Sequence, residues 1–146
     1  MQGDIIGSMK STIVFLAVAA FTALPGPAQQ ASPGNKPGHH NISATVAREL
    51  VSRFTREKKS IVILDVRTAK EYAQTHIPGA KLMDFLAADF KTALAKLDRT
   101  KIYLLHCRSG SRSSAAFATM KRLGFKSVYH LDGGIIAWKK AGGKTG

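Results

Sequence analysis

The sequence predicts an α/β domain, a mainly parallel β-sheet covered by helices on both faces. Two short apolar runs, Ile61-Val62-Ile63-Leu64 and Ile102-Tyr103-Leu104-Leu105, and a last strand at Val128-Tyr129-His130-Leu131 carry that reading. Unbroken runs of this length mark strands buried on both faces. Between them lie segments whose apolar residues recur at helical spacing, so strands alternate with helices along the chain.

The elements follow in order. Val46, Ala47, Leu50, Val51 and Phe54 recur at helical spacing behind an N-cap at Ser43. The first strand, 61–64, leads to Thr68-x-x-Glu71, the form of a capping box that opens a short helix. Leu86, Phe90, Leu94 and Leu97 predict a second amphipathic helix ahead of the strand at 102–105. Ala116, Phe117, Met120 and Leu123 line a further helix, closed by Gly124. After the strand at 128–131, Ile135, Ile136 and Trp138 belong to a terminal helix. No internal repeat is present. In sheets of this type ligands bind beyond the carboxyl ends of the strands.

Composition narrows the class. The 146 residues are 45% hydrophobic and 21% charged, as in ordinary globular domains. A single cysteine excludes a disulfide scaffold, and with five scattered histidines it excludes a Cys-rich zinc site. No apolar run reaches the ~20 residues of a spanning helix. The block Ile13–Leu24 is uncharged and apolar, follows Lys10, and is broken by Pro25-Gly26-Pro27-Ala28. That pattern predicts a signal peptide over residues 1–28, with Met9 as an alternative start, and an exported product, periplasmic or secreted, without stable membrane insertion after cleavage. Residues 29–41, rich in Pro, Gly and polar side chains, read as a flexible linker in which His39 and His40 are a solvated pair.

The chemistry lies after the strand at 102–105. His106-Cys107-Arg108-Ser109-Gly110-Ser111-Arg112-Ser113 joins that strand to a helix. A small-residue loop at a helix N-terminus aims backbone N–H groups inward. Arg108 and Arg112 add two permanent positive charges. A cysteine placed there is expected to be largely thiolate near neutral pH rather than a buried inert thiol. His106 is adjacent in a strand, so its side chain should face away from that of Cys107. A thiolate in an anion pocket leaves two reactions open, phosphoryl transfer and sulfur transfer from an anionic donor.

Four blocks together carry a family resemblance. Asp65-Val66-Arg67 with Glu71-Tyr72, His76-Ile77-Pro78-Gly79-Ala80, Cys107-Arg108-Ser109-Gly110-Ser111-Arg112-Ser113, and Leu131-Asp132-Gly133-Gly134-Ile135 with Trp138 resemble a single-domain rhodanese, a thiosulfate sulfurtransferase. The resemblance covers residues 42–142, leaving 143–146 as a tail. It implies the rhodanese-like three-layer sandwich, with Cys107 as the catalytic residue that takes a sulfane sulfur as a persulfide. Arg108, Ser109, Gly110, Ser111 and Arg112 would bind the substrate, the arginines holding the oxyanion end and stabilising sulfite as it leaves. Related phosphatases place five residues between Cys and Arg; here Arg112 follows after four and Ser113 stands where the phosphatase arginine would be.

The other blocks read as scaffold. Asp65 and Arg67 are expected near the site in a structural role, with Arg67 paired to Glu71. His76 belongs to a turn and is not a general base, and Trp138 belongs to the core. The partners implied are a small anionic sulfur donor and a thiol or cyanide acceptor, with no cofactor and no metal. The net charge of +13 is spread over the surface rather than clustered, which disfavours nucleic acid as a partner. A non-enzymatic sulfur-carrier or partner-binding module is the alternative, and a phosphatase is a weaker one.

Overall fold

The computed structural model describes residues 37–146. The expected signal at 1–28 and the linker as far as residue 36 lie outside the described residues. Ten elements follow one another: β1 (Gly38–Ile42), α1 (Ala44–Arg56), β2 (Val62–Asp65), α2 (Ala69–Gln74), β3 (Lys81–Leu82), α3 (Phe90–Ala95), β4 (Ile102–His106), α4 (Ser111–Arg122), β5 (Ser127–Leu131) and α5 (Gly134–Lys140). The strands form one sheet in the order β1-β5-β4-β2-β3, and every pair is parallel.

The period-2 alternation of the strands feeds two separate cores. Ile63, Leu104, Tyr129 and Leu131 face one side, where Ala47, Leu50 and Phe54 of α1 and Ile135 and Trp138 of α5 cover them. Leu64, Tyr103, Leu105 and Val128 face the other side, under Phe90 and Leu94 of α3 and Ala116 and Met120 of α4. Helix, sheet and helix make three layers. Each fully buried Leu or Phe in these cores contributes about 1.5–3 kcal/mol. Ser43 caps α1, its side chain accepting from the Val46 N–H, and the Thr68–Glu71 capping box closes on α2 in both directions. Both caps stand where the spacing places them.

The topology creates the site. The chain leaves β2 into α2, whose Tyr72 packs on the α1 side of the sheet. It leaves the neighbouring strand β4 into α4, on the opposite side. Adjacent parallel strands whose connections diverge to opposite faces leave a crevice at their carboxyl ends.

Three expectations are corrected. Residues 38–41, read as linker, form edge strand β1, in register with β5 from Gly38–Ser127 to Ile42–Leu131. His39 and His40 are therefore not solvated; the His39 ring meets Phe117 edge-on and the His40 ring stacks on Tyr129. Imidazole rings supply the flat surface that an apolar residue would otherwise give. The second amphipathic helix is shorter than its apolar spacing suggests. Leu86 is 68% exposed, its N–H donates to Asp84 Oδ1 in a turn, and α3 begins only at Phe90. Finally, Arg67 does not pair with Glu71, as described below.

Candidate active site

Cys107 follows the last residue of β4, and its side chain is 1% exposed, on the α4 side of the sheet. Its sulfur accepts a hydrogen bond from the Gly110 N–H at 3.1 Å and has Ser113 Oγ at 3.3 Å. Burial pushes the thiol pKa up, but hydrogen bonds from the Ser113 hydroxyl and from the Ser113, Gly110 and Ser109 N–H groups pull it down. The donors prevail, and the thiol is more acidic than a free one. The thiolate expected of the loop rests on these directed donors.

Two glycines let the loop take this shape. Gly110 has φ +107°, a conformation L side chains rarely adopt, and it turns the loop into α4. Gly134, at φ +59°, allows the β5–α5 turn to lie against the loop backbone; a Cβ there would fall 2.5 Å from the Cys107 carbonyl oxygen. With that approach, the N–H groups of Ile135 and Ile136 donate to the carbonyls of Cys107 and Arg108 at 2.9 and 3.2 Å. The carbonyls of the loop are thus engaged behind it, while its N–H groups converge on the sulfur.

The four arginine and carboxylate side chains pair differently from the expectation. Arg67 donates through Nε and Nη2 to Asp65, the closest approach being 2.6 Å, and through Nη2 to the Thr75 carbonyl at 2.7 Å. Both members of this pair are buried, with side-chain exposures of 4% and 0%. Glu71 instead takes Arg112 in a two-pronged pair, both N···O distances 2.8 Å. That guanidinium, first, and then the Thr68 cap hold the Glu71 carboxyl at about 2 despite partial burial. Arg112 is thereby tied to α2 with its charge countered, while remaining close enough to feel the Cys107 charge. Arg108 is exposed and lines a cleft of about 450 Å³ with Arg67, Glu71, Ile136 and Lys139. Ser109 and Ser111 are exposed on the loop.

The histidines divide into scaffold and site. His106 is fully buried in the Asp65–Arg67 cluster, with Nε2 3.7 Å from Asp65 Oδ2, and burial lowers its basicity. It faces away from Cys107, as strand alternation requires. His76 stacks on Tyr72 at 4.1 Å and exchanges backbone hydrogen bonds with Gly146. Trp138 is 5% exposed in the α1-side core. Sequence reasoning left Ser113 out of the site and missed His130, whose Nε2 is 2.9 Å from Ser113 Oγ. The available signal was alternation: His130 shares a strand face with Val128, the face on which α4 and Cys107 lie. Among the described residues no group of three or more His, Cys, Asp or Glu side chains is arranged to hold a metal ion.

Comparison with known proteins agrees with this geometry. A model of the rhodanese-like domain family matches residues 47–141. The chain is 38% identical over 98 residues to "Probable adenylyltransferase/sulfurtransferase MoeZ" of Mycobacterium tuberculosis, a match that covers 67% of this chain and 25% of that protein. The chain thus spans a quarter of the length of that relative. It is 31% identical over 94 residues to a sulfurtransferase of Allochromatium vinosum, covering 64% of this chain and 86% of the other. Among solved structures, the rhodanese-like domain of the Anabaena Alr3790 protein superposes with a TM-score of 0.61 at 30% identity, over 73% of this chain and 77% of that one.

Proposed function

The chain belongs to the rhodanese-like domain family, and from that premise we propose that it is an exported sulfurtransferase that moves a sulfane sulfur from thiosulfate, or a similar anion, through a Cys107 persulfide to cyanide or a small thiol. One observation carries the reading. The single cysteine places its sulfur against the Gly110 N–H and the Ser113 hydroxyl, in a loop one residue too short for the phosphatase arginine. The Cys107 thiolate attacks the outer sulfur of the donor. A sulfur–sulfur bond forms at Cys107, the donor's sulfur–sulfur bond breaks, and sulfite leaves with the electron pair. The loop N–H groups that favour the thiolate favour the persulfide anion in the same way. Arg108, exposed in the cleft, and Arg112, tied to Glu71 but within electrostatic reach of the sulfur, offer positive charge to the oxyanion end of the donor. The acceptor then attacks the outer sulfur and restores the thiolate.

The export signal read at 1–28 supports an extracytoplasmic setting, and the charge of +13 raises the encounter rate with anions. Intact mass spectrometry tests the chemistry. Thiosulfate should add one sulfur atom to the protein, and cyanide or a small thiol should remove it. A protein that gains no sulfur and cleaves aryl phosphates would be a phosphatase instead.

A further inference from the structure

Four side chains from two strands, a helix and the loop after β4 form one hydrogen-bonded line that ends at the reactive sulfur. Asn41 on β1, exposed at the sheet edge, has Oδ1 2.9 Å from His130 Nδ1 on β5. His130 Nε2 is 2.9 Å from Ser113 Oγ on α4, and Ser113 Oγ is 3.3 Å from Cys107 Sγ beyond β4. His130 is 5% exposed and Ser113 fully buried.

Counting hydrogens along this line gives it a direction. An amide oxygen only accepts, so His130 Nδ1 carries the hydrogen that faces Asn41. A neutral ring then has a bare Nε2, which with the Gly110 carbonyl, 3.1 Å from Ser113 Oγ, draws the single hydroxyl hydrogen of Ser113. In that state Ser113 has no hydrogen left for the sulfur. For Ser113 to donate to an anionic sulfur, its oxygen must receive a hydrogen from Nε2, and the ring must be an imidazolium.

We propose that Ser113, His130 and Asn41 form a relay that takes the thiol proton of Cys107 into the domain and keeps it there while the sulfur is anionic. The S–H bond breaks and the proton passes to Ser113 Oγ as Ser113 gives its own hydrogen to His130 Nε2. A thiolate–imidazolium pair replaces a neutral thiol and imidazole, with no net change of charge and no further reactant. Ser113 touches the reacting sulfur; His130 and Asn41 act through it as positioning residues. The persulfide anion replaces the thiolate opposite the same imidazolium, so the proton stays in place through both halves of the cycle. The proposal rests on the sulfur-transfer reading for its purpose.

The surroundings of His130 weigh for and against its charge. Burial weighs most and holds the imidazole less basic than a free one, while the Gly110 carbonyl and the Asp132 carboxylate, just beyond β5, favour the charge. The thiolate that forms beside Ser113 supplies the countercharge the resting site lacks. From α4 it meets the neutral ring of Phe117 at 5.6 Å, whose other ring contact is His39 of β1, itself within electrostatic reach of Lys121. From β4 its register partner is the apolar Leu105, and the thiolate of Cys107 itself completes the set.

The test is a pH titration of thiolate ultraviolet absorbance, run beside the rate of sulfur uptake from thiosulfate. His130→Gln keeps a hydrogen-bonding group toward Ser113 but cannot hold a proton. Its thiolate titration should move up by about one pH unit, so thiolate and uptake rate fall roughly tenfold near pH 6 and recover in alkali. Asn41→Ala, at an exposed position, should shift both curves in the same direction by less, which covers the case in which the first variant does not fold. Titrations that coincide with wild type in a folded His130→Gln, or in Asn41→Ala, overturn the relay and leave His130 a mere support for Ser113. Absence of sulfur uptake by the wild type would overturn the proposed function instead, and the absorbance titration would still decide the relay.

Discussion

Strands β2 and β4 lie side by side and end together, the Val66 N–H donating to the His106 carbonyl at 2.9 Å, yet their ends serve opposite purposes. The β2 end closes on itself. Asp65 accepts from the backbone N–H and the guanidinium of Arg67, and both charges are matched within the interior. The β4 end opens into a loop whose N–H groups point at a sulfur that has no cation in direct contact among the described residues. Equivalent positions in a parallel sheet can therefore hold a fixed charge or a reactive one. The difference lies in whether a cation or neutral hydrogen-bond donors answer the charge. A guanidinium answers it completely; N–H and hydroxyl dipoles answer it partially and leave the sulfur free to react.

Substitutions can break that comparison at either strand end. The largest effect on chemistry is expected from Cys107→Ser, which should bring sulfur transfer to background while leaving the Tm nearly unchanged, since a serine fits the same cradle. Turnover together with a thermal melt checks both halves. Asp65→Ala should do the reverse. Removing one member of a buried pair leaves Arg67 uncompensated and should cost about 3–5 kcal/mol, a large share of a small domain's stability. Urea unfolding reads that loss, and the fraction still folded should take up sulfur at the wild-type rate. A folded Asp65→Ala with impaired uptake would show that β2 takes part in the chemistry.

Arg112 sits between the two cases, since its charge is countered by Glu71 but reaches the sulfur. Arg112→Ala should keep the fold and lower kcat/KM for thiosulfate roughly 10- to 150-fold, the range for a lost charge-assisted hydrogen bond of about 1.5–3 kcal/mol. An unchanged value would assign Arg112 wholly to the tie with α2. The smallest effect belongs to Glu71→Gln. It releases Arg112 toward the donor and should lower the KM for thiosulfate by no more than about fivefold, since a partly exposed pair is worth at most about 1 kcal/mol. The same substitution has a pH signature. The Glu71 carboxyl is held at about 2 in the folded protein against an ordinary 4.5, so its contribution is present above pH 4.5 and is lost as pH falls through 2. Acid unfolding followed between these values should be less steep in Glu71→Gln.

How much was legible in the sequence follows the same physical divide. Strands β2, β4 and β5 are buried on both faces; β2 and β4 announce themselves as unbroken apolar runs, and β5 as Val, Tyr and Leu around a single histidine. Strand β1 does not, because His39 and His40 pack as aromatic rings while reading as polar. Strand β3 is two exposed residues held by pairing with β2 alone. The loop from Cys107 to Arg112 was legible because its parts are contiguous. Its partners were not: Glu71 lies 41 residues before Arg112, and Asn41 lies 89 residues before His130. Arg67 shows the opposite failure. Helical habit pairs it with Glu71 four residues on, whereas the strand end folds it back onto Asp65 two residues earlier.

The solitary state of Cys107 has a consequence for survival in an oxidising milieu. A peroxide turns a thiolate into a sulfenic acid, and a neighbouring cysteine would ordinarily trap that species as a disulfide. No second cysteine exists in the 146 residues, so further peroxide carries the sulfur on to the irreversible sulfinic acid. A persulfide changes that fate. The outer sulfur takes the oxygen first, and reduction of the sulfur–sulfur bond discards the damaged atom and regenerates the thiol. A molecule that rests with its sulfur loaded is protected by its own cargo, and an empty one ages.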